Sequence, residues 1–158
     1  MEVIGVRVEL PSNTPIVLLR ELEGQRRLLP IFIGGPEATA IALALDSVQT
    51  PRPMTHDLMK NVLDDLGVVL RRLEVTDLSD GTFYAELHLE AAGQTTVVSS
   101  RPSDGIALAL RMSAPVYAAE SVVEEAGYLA EADEDREDDV VEQFKEFIDQ
   151  VNPDDFAS

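Results

Sequence analysis

Two short stretches of the chain gather the residue types that move protons and hold phosphate. In "TPRPMTHDL", Thr50 to Leu58, Arg52, His56 and Asp57 fall within six residues. In "SSRPSDGIALALR", Ser99 to Arg111, Arg101 and Asp104 stand just ahead of a run of small residues. A histidine can take a proton from water, a carboxylate can orient it or bind a metal, and an arginine can stabilise charge on a phosphoryl group. Both stretches read as loop-to-helix junctions, whose N–H groups and partial positive charge favour anions. A plainer reading covers the same letters: His56 and Asp57 as polar first-turn residues, and Asp104 as a helix-capping acid. His88, between Glu86 and Glu90 on an alternating strand, is either a weak cation site or part of a solvent-facing surface.

The elements that would position these residues follow from periodicity. Residues 2–10 alternate as a half-buried strand, and "IVLLREL" and "RRLLPIFI" read as a hairpin turning at Gly24, with Pro30 marking an edge or a bulge. "GGPEATAIALALDS", Gly34 to Ser47, opens a helix with Pro36 and Glu37 in its first turn. It shares the letters IALAL with the stretch after Asp104, but the Pro-to-Ile spacing differs, so the echo reads as a packing face and not as a duplication. Thr55 is the expected N-cap of a second helix, with Leu58, Val62 and Leu66 as its apolar stripe and Gly67 at its end. Strands follow over 68–76, "TFYAELHLEA" and "TTVVSS". Ser103 is the expected cap of the next helix, and "APVYAAE" and "SVVEEAG" read as a short strand and a short helix. The fold class is therefore α+β: a single domain with largely antiparallel or mixed pairing and three or four helices.

Residues 1–127 are expected to form the domain, and 128–158 an acidic extension with a possible short helix around Val141, Phe144, Ile148 and Val151. Of the net charge of −18, residues 120–158 supply fifteen acids against two bases, and residues 1–119 fifteen against ten. That balance argues against broad, sequence-independent nucleic-acid binding and leaves room for a local basic cleft, or one shielded from the tail. The absence of cysteine removes disulfides, thiol nucleophiles and thiolate metal sites. No run is long enough for a membrane span and no leader pattern is visible, so a cytoplasmic location with no membrane partner is expected. P-loop, GxGxxG, HExxH and GxSxG motifs are absent.

Four blocks in order, "LPIFIGGPEATAIALAL", "RPMTHDLMKNVLDDLG", "DGTFYAELHLE" and "RPSDGIALALR…APVYA", resemble the bifunctional nuclease domain family from about Met1 to Gly127. The resemblance implies an α+β fold and hydrolysis of RNA or DNA. It carries motif positions onto Glu37, Arg52, Thr55, His56, Asp57, Arg101, Pro102, Ser103 and Asp104. The expected site has His56, Asp57, Arg52, Arg101 and Asp104 as catalytic residues, with Glu37, Asp57 and Asp104 as ligands for a divalent ion, Mg²⁺ or Mn²⁺. The chain departs from the family pattern at Ser99, where an Asp is common, and at Gly105, where Ala is usual and where Gly should weaken the helix by up to about 1 kcal/mol. Two rival readings use the same residues: a non-catalytic, homo-oligomeric interaction module, and a binder of small phosphorylated metabolites.

Overall fold

The computed structural model of the protein describes residues 1–9 and 11–129. The first three strands, β1 (Glu2–Glu9), β2 (Thr14–Arg20) and β3 (Leu28–Phe32), form an antiparallel sheet in the order β1-β2-β3. Pro30 falls in β3, an edge strand, where its missing N–H costs no ladder bond. Two helices follow, α1 (Gly35–Leu45) and α2 (Thr55–Asp65). Strands β4 (Val69–Ser79), β5 (Thr82–Ala91) and β6 (Gln94–Ser100) then make a meander. Its hairpins turn at Asp80-Gly81 and Ala92-Gly93, all four residues at positive φ, the geometry that matches strand twist. Helix α3 (Pro102–Met112) leads to β7 (Val116–Ala118), which pairs parallel to β4 and completes a second sheet of order β6-β5-β4-β7. Helix α4 (Glu120–Ala126) follows. Beyond it, Tyr128 forms an antiparallel bridge with Leu28, one residue past the expected boundary at 127. The possible helix around Val141–Val151 lies outside the described residues.

The α+β class is as expected. The two sheets are joined through helices: α1 packs on β1 and β2, α3 on β4 and β5, and α1 and α3 on each other. The IALAL runs serve this junction, since Ile41, Ala42 and Leu43 of α1 and Ile106 to Ala109 of α3 are buried. Alanines let the helix axes approach closely, and the isoleucines fill the space toward the sheets.

Three local expectations are corrected. The N-caps are Met54 and Arg101, so Thr55 and Ser103 sit inside the first turns. In α3 the reason is Pro102, which fixes its own φ and holds Arg101 extended at ψ 142°. The apolar stripe of α2 does not face the core. Leu58, Val62 and Leu66 are exposed, and His56 is the one buried residue of that helix.

Gly105 is not simply a weak spot in α3. A Cβ there would lie 2.4 Å from a methyl of Leu73, which is fully buried in β4. The glycine lets the helix seat on the sheet over a large side chain. Gly105→Ala is therefore expected to destabilise the protein by about 1–2 kcal/mol, because overpacking outweighs the helix-propensity gain of about 1 kcal/mol. Urea denaturation checks it: a midpoint that rises would contradict the contact, and Leu73→Val should relieve the clash in the double variant.

Candidate active site

The starts of α1, α2 and α3 are tied together by one chain of polar contacts. His56, second residue of α2, places Nε2 3.1 Å from Asp104 Oδ1. The other oxygen of Asp104 accepts from Arg101 Nε at 2.7 Å. Arg101 Nη2 donates to Glu37 Oε1 in the first turn of α1 at 2.8 Å. Each acid stands where a helix N-terminus stabilises negative charge. Gly34 makes room for Glu37, since a Cβ there would fall 2.2 Å from Glu37 Oε2. His56 is 8% exposed, whereas the side chain of Arg101 is 66% exposed and faces outward from the end of the chain of contacts.

Arg101 also closes one end of a groove of about 370 Å³ between the two sheets. Its lining comes from Ile31 to Gly34 at the end of β3, Gly81 to Phe83 at the β4–β5 turn, and Arg101 to Ser103 at the start of α3. Phe32 is 58% exposed at the rim.

The expected residues divide. His56, Arg101, Asp104 and Glu37 are brought together. Asp57 is not joined to them: Oδ1 accepts from Arg111 Nε at 2.5 Å and Oδ2 from the Met54 N–H at 2.9 Å. Arg111 Nη1 also donates to the carbonyls of Ala40 and Ala107, so this arginine pins α2, α1 and α3 to one another. Its part was missed because an arginine in the last turn of a helix reads as an ordinary C-terminal cation. Its place directly after IALAL, a buried packing run, was the available signal. Arg52 is exposed, and its side chain has no hydrogen bond or ion pair among the described residues. Ser99 lines a different hollow, with Thr76, Asp77 and Tyr84, and is not among the residues lining the groove at Arg101. The absence of an acid at 99 therefore leaves the contacts of His56, Asp104, Arg101 and Glu37 untouched. His88 faces Glu74 at 3.5 Å and Glu86 at 3.9 Å, while Glu90 pairs with Arg71.

Burial pushes the carboxyls of Asp57 and Asp104 up. Hydrogen bonds outweigh it, from Arg111 and the Met54 N–H in the first case and from Arg101 and His56 in the second, so both carboxyls sit below the ordinary aspartate value. Arg101 is held more firmly charged by Asp104 and Glu37. A carboxyl lowered on folding adds stability that is complete above its unfolded value, near 4, and is lost as the pH falls through the lower folded value. Melting temperature is thus expected to fall steeply below about pH 4, and less steeply in Asp57→Asn and Asp104→Asn. Identical acid limbs in all three proteins would contradict the assignment.

Residues 17–131 match the family described as bifunctional nuclease domain. The chain belongs to the bifunctional nuclease domain family. An uncharacterized protein of Mycobacterium tuberculosis strain H37Rv is 47% identical across all of this chain and 98% of its own length. Bifunctional nuclease 2 of Arabidopsis thaliana is 30% identical over 68% of this chain, and bifunctional nuclease 1 of Oryza sativa subsp. japonica 26% identical over 72%. The chain spans about a third of the length of these plant relatives, 34% and 35% respectively. For this bifunctional nuclease domain, no helix among the described residues is long and apolar enough to cross a membrane.

Proposed function

We propose that the protein is a nucleic-acid phosphodiesterase that works where α1, α2 and α3 begin, on a single strand lying in the groove beside Arg101. The observation that carries the reading is the exposed Arg101, linked through Asp104 to His56. Family membership and the nuclease names of the plant relatives support it.

Arg101 uses Nε and Nη2 on carboxylates, so Nη1 is left to take a phosphate oxygen. In this reading His56 donates its Nε2–H to Asp104, a carboxylate that can only accept, and keeps a lone pair on Nδ1. That nitrogen takes the proton of the attacking water as the new P–O bond forms, and the bond to the leaving sugar oxygen breaks, that oxygen taking a proton from solvent water to leave as the alcohol. Phe32, at the rim, offers a face for one base to stack.

Glu37 and Asp104 carry two negative charges against the single positive charge of Arg101. Among the described residues no three His, Asp or Glu side chains are grouped to hold a metal. Two carboxylates completed by water and substrate phosphate nevertheless suit Mg²⁺ or Mn²⁺, which seldom need an all-protein cage. Glu37 and Asp104 would hold the ion, which would supply charge neutralisation at the phosphate. Asp57, engaged with Arg111, does not belong to this set.

The test is the full chain with end-labelled single-stranded and duplex RNA and DNA, in chelator, Mg²⁺ or Mn²⁺. Cleavage of single strands is expected, with Arg101→Met lowering kcat/KM about 100-fold or more. Phe32→Ala should raise KM roughly tenfold with kcat nearly unchanged, as the loss of one stacked base predicts. A chain inert on every substrate with either ion would overturn the reading, and an unchanged KM in Phe32→Ala would remove the groove as the strand's path.

A further inference from the structure

Helix α3 begins with polar groups that the fold leaves without partners. Pro102, its first residue, has no N–H. The N–H of Gly105 donates to the Arg101 carbonyl at 3.1 Å, the first bond of the helix. Between them, the N–H groups of Ser103 and Asp104 meet no acceptor among the described residues, and no side chain caps this helix. The Ser103 hydroxyl likewise makes no hydrogen bond among the described residues, although Ser103 is only 6% exposed. A serine so deeply buried is ordinarily hydrogen-bonded. Ser103 lines the groove beside Arg101, so the groove is where its partner must come from.

We propose that the start of α3 seats a phosphodiester phosphate, held by the Ser103 hydroxyl and the N–H groups of Ser103 and Asp104. This rests on the groove being the strand's path, as in the function proposed above, and adds which group of the strand is gripped and by what. Free N–H groups at a helix start point at a ligand beyond the helix end and carry the positive pole of the dipole. The hydroxyl supplies a third donor. Nη1 of Arg101, the N-cap of the same helix, supplies a fourth to the same phosphate.

Charge selects the kind of phosphate. Glu37 and Asp104 set two negative charges against the one positive charge of Arg101. A terminal phosphate monoester, close to a dianion at neutral pH, meets that excess with nearly twice the charge of a diester. The donors of Ser103 and the Asp104 N–H are neutral, so they hold an oxyanion by fixed dipoles and not by a further cation. A buried water would occupy the same donors, and the experiment separates it from a phosphate.

The probe is a dinucleotide of two thymidines joined by one phosphodiester, with no terminal phosphate. It is titrated into the full chain in chelator and followed by proton–nitrogen correlation spectra. The N–H signals of Ser103 and Asp104 are expected to move downfield and saturate. The same dinucleotide with an uncharged methylphosphonate link, and thymidine monophosphate, should each bind at least ~10-fold more weakly. Ser103→Ala should weaken the dinucleotide roughly tenfold and lower kcat/KM on single strands to a similar degree. Its melting temperature should be unchanged or raised, because the hydroxyl ties nothing in the fold and alanine favours a helix. Equal affinity of parent and Ser103→Ala, saturation without movement of those two N–H signals, or no binding at millimolar dinucleotide overturns the proposal, and leaves water as the occupant. A monophosphate that binds more tightly than the dinucleotide overturns the diester assignment. Strand cleavage at the parent rate in Ser103→Ala sinks this inference and leaves the nuclease reading standing. A dinucleotide gripped through Ser103 by a chain that cleaves nothing does the reverse.

Discussion

Arg111→Met is expected to lower the free energy of unfolding by about 2–3 kcal/mol, the largest stability loss of any single polar side chain considered. The Arg111 side chain is 8% exposed and makes three hydrogen bonds, to Asp57 and to the carbonyls of Ala40 and Ala107. Its removal leaves the Asp57 carboxylate without its cation and the Ala40 carbonyl without that donor. Breaking a buried ion pair costs roughly 3–5 kcal/mol. Asp57 keeps about a third of its side chain in water, at 32% exposed, and this moderates the loss. A fall in melting temperature of about 10 °C follows for a domain of this size. Arg111→Met with Asp57→Asn should recover part of it, because the orphaned charge is then gone. A single variant that melts like the parent would show that α2 is held by other contacts.

Asp104→Asn is expected to do the opposite: little to stability, much to catalysis. Arg101 is 66% exposed, so solvent screens its pair with Asp104 and the pair adds little to stability. The amide, however, presents both a donor and an acceptor to His56, and no longer imposes the tautomer that leaves Nδ1 free. A loss on the order of 10³-fold in kcat, with KM little changed, is the expected result for a histidine whose orienting carboxylate is made neutral. Single-turnover cleavage of a labelled strand measures it. A variant that loses several kcal/mol of stability and no activity would place Asp104 in a structural bracket, as a non-catalytic interaction module requires.

Much of the architecture was legible because its signals are local. Gly24 announced a hairpin, alternation marked β1 and β5, and Pro30 marked an edge. The parallel pairing of β7 with β4 was not legible, since a three-residue strand has no period to read. The site was half legible. Arg101, Asp104 and His56 stand at readable helix starts, and the structure brings them together. Asp57 adjoins His56 in sequence but points to Arg111, because consecutive residues on a helix are turned about 100° apart. The outward stripe of α2 was readable as a stripe, but periodicity gives the existence of an apolar face and not which way it points.

The groove beside Arg101 lies between the ends of two sheets that meet through α1 and α3. The spacing of its walls therefore depends on the thickness of the alanine-rich seam where these helices touch, as well as on the side chains that line it. One added methyl group in that seam acts as a shim, parting the walls without altering a residue that a ligand would meet. Tuning of what the groove admits is available to the protein from its core, out of reach of solvent.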